Sequence, residues 1–73
     1  MKSSNKKQGS LIARYRKAIG MNQNSLATKL NKKLKTEVFN QPRISHFEKH
    51  GVYRDKTLKG IATVLNIDIE QLQ

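Results

Sequence analysis

The sequence predicts an all-α fold, a compact domain of five short helices, and three observations carry that expectation. Apolar residues recur at three- and four-residue steps in successive stretches, the stripe that an amphipathic helix turns toward a core. Cap residues and stops punctuate those stretches: Asn22, Asn40, Asp55 and Asp68 stand where helices would begin, Gly20 and Gly51 where they would end. The chain has 73 residues and no cysteine, so no disulfide or thiolate metal site can reinforce the core. A chain of this size buries only about 60% of its unfolded surface, which favours a simple, local core.

Residues 1–9 hold Lys2, Lys6 and Lys7 and no large apolar group after Met1, so they read as a flexible basic arm ahead of a domain spanning residues 10–73. The first helix starts at Ser10, with Leu11, Ile12, Tyr15, Ala18 and Ile19 as its stripe and Gly20 as its stop. Asn22 caps the second, whose inner residues are Leu26, Ala27, Leu30 and Leu34. Residues 35–39 form an irregular connection in which Val38 and Phe39 are partly buried. Asn40 caps the third helix, and Pro42 fits only within a first turn, where its missing N–H is not needed. Ile44, Phe47 and Glu48 share one side of it, and Gly51 ends it. Asp55 caps the fourth, with Leu58, Ile61, Ala62 and Leu65 inward; Asp68 caps a last turn or short helix packed through Ile67, Ile69 and Leu72.

Charge narrows the partners. Fifteen lysines and arginines face five acidic residues, a net charge of +10, and no acid occurs before Glu37. That imbalance suits a polyanion. No apolar run is long enough to span a bilayer, and the start has no apolar signal-peptide centre; with no cysteine, a cytoplasmic location and no membrane partner are expected. Few acids and no nucleophile set beside a base argue against an enzyme.

Four stretches in order, "IARYRKAIG", "GMNQNSLATKL", "RISHFEKHG" and "LKGIATVLNIDIEQL", resemble the Xre-type helix-turn-helix family, which includes phage Cro proteins and the DNA-binding domains of lambda-type repressors. The resemblance runs from about Ile12 to Leu72. It implies a lambda-repressor-like fold whose third helix enters the DNA major groove, a phosphate-contacting role for Gln23, and a salt bridge between Arg16 and Glu48. Asn66 stands where the family has glycine, and the interval from Leu26 to Ile44 is several residues longer than usual, so residues 32–38 form an insertion that either lengthens the second helix or makes a basic loop.

The residues of the third helix point the same way. At about 100° per residue, Pro42, His46 and Lys49 face away from the core, flanked by Arg43, Ser45 and His50. Gln41 can pair with adenine and Arg43 with guanine, with His46 as a further base contact. Asn22, Gln23, Ser25, Asn40, Lys49 and Arg54 are candidate phosphate contacts, four of them at helix N-termini that favour anions. His46 and His50 have a metal-compatible spacing, but Glu48 between them points elsewhere, and no metal or other cofactor is expected. The expected function is a sequence-specific transcriptional regulator, a cytoplasmic Cro-like repressor of bacterial or phage origin. It would bind a double-stranded operator, with a homodimer matching a partly palindromic site. The competing reading is a small phage or mobile-element modulator or antitoxin that acts mainly on a partner protein, such as a repressor or toxin.

Overall fold

The computed structural model describes residues 4–72, and side chains from Lys6 onward. Among the described residues the chain is all-helical: α1 (Ser4–Ala18), α2 (Gln23–Leu34), α3 (Gln41–His50) and α4 (Asp55–Leu65), followed by a single 3₁₀ turn over Ile69–Leu72. Of the two forms expected for the last segment it is the turn, so the count of five helices is corrected to four helices and a 3₁₀ turn. Its four residues allow no continued i→i+4 ladder, and it closes through Gln71, which donates its N–H to Asp68 O and accepts the Asp68 N–H on its side chain at 3.0 Å. That is the reverse of the expected Asp68 side-chain cap.

Ile12, Leu26, Leu30, Ile44, Ile61, Leu65 and Leu72 are fully buried and bring every element to one core. α1 lies chiefly against α3, α2 against both α3 and α4, and the 3₁₀ turn against α4 and α1. No buried side-chain nitrogen or oxygen lacks a partner among the described residues.

The expected start of the first helix is corrected: α1 begins at Ser4, six residues earlier, so residues 4–9 are helical. Residues 1–3 lie outside the described residues. Two contacts draw this extra turn inward. Gln8 accepts the Val52 N–H on its side-chain oxygen at 2.8 Å. Gly9 is buried so closely on α3 that a Cβ there would stand 2.5 Å from Phe47 O and 2.6 Å from Glu48 O.

The connection after α2 also departs from expectation at one residue. α2 runs on to Leu34, and Lys35 ends it in the left-handed region at φ 55°. Phe39 is buried as expected, but Val38 is 53% exposed. The cause is Asn31, whose side-chain amide donates to Phe39 O and accepts the Phe39 N–H, both at 2.9 Å. Phe39 is held against Phe47, their ring centroids 6.0 Å apart, and Val38, one residue earlier, is left outward.

Asn22 and Asn40 cap α2 and α3, accepting the Ser25 N–H at 2.7 Å and the Arg43 N–H at 3.1 Å. The cap of α4 is corrected: Arg54 occupies the N-cap without a side-chain hydrogen bond, and Asp55 is the first helical residue, where its charge favours the helix N-terminus. Asn66 ends α4 at φ 60°, with the Ile67 N–H donating to Ala62 O. Asparagine tolerates that left-handed position better than most residues other than glycine.

Candidate nucleic-acid interface

The candidate surface is built where α2 and α3 begin. Arg16 rises from α1 and is 7% exposed. Its Nε donates to Glu48 Oε2 at 2.6 Å, a second nitrogen donates to Glu48 Oε1 at 3.1 Å, and the third reaches Met21 O at 2.8 Å. All of its nitrogens therefore have acceptors, and the guanidinium ties the end of α1 to α3 in the forked geometry that suits a carboxylate.

Glu48 receives a third hydrogen bond, from Gln23. Gln23 Nε2 donates to Glu48 Oε1 at 2.9 Å, while Gln23 Oε1 accepts from Gln41 Nε2. A chain of side-chain hydrogen bonds thus runs from α1 through α3 and the first residue of α2 to the first residue of α3. It orients Gln41, which is exposed. One Gln41 N–H and its carboxamide oxygen take no part in this series, and they are the donor and acceptor types that the N7 and N6 edge of adenine pairs with. Gln23 keeps a second N–H.

The two helix starts differ as anion sites. At α2 the N–H groups of Gln23 and Asn24 precede the capped Ser25 N–H. At α3 Pro42 has no N–H and the Arg43 N–H is taken by Asn40, which leaves Gln41. The α2 start is the stronger phosphate site by this measure. Asn22 and Asn40 use their side-chain oxygens as caps, and each retains an amide NH₂ to donate.

Arg43, His46, Lys49 and Arg54 are all exposed, along with Pro42 and His50. The Arg43 guanidinium carbon lies 5.5 Å from the centre of the Phe39 ring, within cation–π range. Arg43 therefore rests on the flank of α3, over Phe39. The rings of His46 and His50 lie 4.6 Å apart. Among the described residues no three groups are placed to hold a metal, and no helix is long and apolar enough to cross a membrane.

Asn31, Gln8 and Gly9 were missed as organisers of this surface. Asn31 is followed by Lys32 and Lys33 in sequence, and no local pattern points to a partner eight residues on. Gly9 carried a usable signal, a small residue one heptad before Arg16 on the same face of a helix.

The cations are spread over every α-helix, with Lys29, Lys32 and Lys33 on α2 and Lys56 and Lys59 on α4. Charge alone does not single out α3. Set against family models, curated proteins and solved structures, the chain matches none.

Proposed function

We propose that this chain is a sequence-specific DNA-binding transcriptional regulator of the helix-turn-helix kind, a Cro-like repressor that reads the major groove with α3. The observation that carries the reading is the hydrogen-bonded series Arg16, Glu48, Gln23, Gln41, which fixes an exposed carboxamide at the first residue of α3 beside the start of α2. A helix fits the major groove, and its first turn is the part that reaches base edges. In this reading α2 and α3 are the two helices of the motif, and residues 35–40 are its lengthened turn.

The roles follow from chemistry. Gln41 reads adenine. Arg43, released from Phe39 at a cost of about 0.5–1 kcal/mol, forks onto guanine O6 and N7, and each good bidentate pair gives about 1–3 kcal/mol of discrimination. His46 contacts a base further along. The α2 start, with Asn22, Gln23 and Ser25, holds one phosphate strand; Asn40, Lys49 and Arg54 serve the backbone nearer α3. Repression would come from covering a promoter. A dimer would place two such helices about one turn of DNA apart, roughly 34 Å.

Fluorescence anisotropy with a labelled duplex tests the reading. Neutralising six to eight phosphates predicts that log affinity falls against log salt with a slope of roughly −5 to −7. A slope near zero contradicts it.

A further inference from the structure

On the flank of α3, a groove of about 410 Å³ is lined by Val38 and Phe39 from the connection, Arg43 and Phe47 from α3, and Tyr53 and Arg54 after it. At about 100° per residue, Arg43 and Phe47 lie on the opposite flank of α3 from Gln41 and Glu48, the residues that meet Gln23. The groove is therefore separate from the hydrogen-bonded series that orients Gln41. Its rim is apolar and outward: Val38 is 53% and Tyr53 78% exposed. Two guanidiniums stand in its walls, and no acidic residue lines it.

We propose that this groove docks an acidic segment of a partner protein carrying an aliphatic or aromatic anchor, and that such a segment competes with DNA for Arg43 and Arg54. The docking claim stands by itself; the competition rests on the DNA-binding reading. Burying Val38, Phe39 and Tyr53 rewards an apolar anchor, and the planar forks of two arginines select carboxylates around it. A phosphate backbone meets the arginines but has nothing to set against Val38. A second copy of this chain is a poor occupant, because each copy carries a net charge of +10 and Glu48, one of its five acids, is already paired with Arg16. Glu37 and Asp55 adjoin the groove in sequence, yet neither lines it. The Arg43 guanidinium already rests over Phe39, so a carboxylate in the groove finds it in place, whereas a base must draw it out.

The test is selection from a displayed library of random peptides on the wild-type chain and on the double variant Val38→Ser, Tyr53→Ser. Both side chains are exposed, and circular dichroism checks that the variant is folded. The expected result is a set of peptides with an apolar anchor flanked by aspartate or glutamate. These should bind wild type at least tenfold more tightly than the variant and displace a labelled duplex from wild type. Enriched peptides without that pattern, or binding both proteins equally, overturn the proposal. A tenfold loss of duplex affinity in the variant with no peptide enriched assigns the groove to DNA, which overturns docking and leaves the DNA reading intact. Peptides with the pattern and the tenfold preference for wild type, on a protein that binds no duplex, sustain docking and remove the DNA reading.

Discussion

Arg16 and Glu48 meet across 32 residues of chain as a forked pair, each side chain 9% exposed. Removing Glu48 leaves a guanidinium in a largely buried place with one carbonyl partner, and also strips Gln23 of its acceptor. Breaking a buried pair from one side is costly because the remaining charge keeps its desolvation penalty. Glu48→Ala is expected to destabilise the fold by roughly 3 kcal/mol in chemical denaturation. A loss of only a few tenths would mean that the pair is effectively solvated.

Asn31 binds both backbone groups of Phe39, its NH₂ to the carbonyl and its oxygen to the N–H. That pairing fixes the orientation of the amide. Asn31→Asp keeps the acceptor but replaces the donor with an oxygen facing a carbonyl. It should cost about 1–3 kcal/mol, no less than Asn31→Ala. Denaturation of the two variants side by side checks this; an aspartate as stable as wild type contradicts the clamp.

Gly9 and Gly20 separate two kinds of glycine requirement. At Gly9 an added methyl meets backbone oxygens that cannot rotate aside, so Gly9→Ala is expected to destabilise by about 1–3 kcal/mol through overpacking. At Gly20 the space is open but φ is +72°, and Gly20→Ala should cost about 1–2 kcal/mol from the left-handed backbone alone. Gly20→Asn should recover part of that loss, while Gly9→Asn should be worse than Gly9→Ala. Melting temperatures of the four variants distinguish the mechanisms.

The legible parts of this chain are those with local causes. Asn22 and Asn40 announce their helices because a cap acts within three residues, and the stripe Leu58, Ile61, Ala62, Leu65 marks α4 from periodicity alone. What escaped depends on tertiary partners. Ser4–Gly9 has almost no apolar residue and reads as an arm; it is helical because Gln8 and Gly9 find α3 and the residues after it. Val38 and Phe39 look alike in sequence, and only the Asn31 clamp decides which one turns inward. At the candidate surface, residue types suggested Gln23 and Gln41 separately, whereas the hydrogen bond that joins them is a fact of packing between α2 and α3.

In the proposed function the start of α3 reads base sequence. The most direct measurement is selection of bound duplexes from a random pool at about 0.15 M salt, near the physiological ionic strength, repeated with Arg43→Ala. The expected result is a reproducible motif containing guanine, with the guanine preference at one position lost in the variant and the remaining positions kept. Enrichment of no motif, or a motif unchanged by Arg43→Ala, would contradict it.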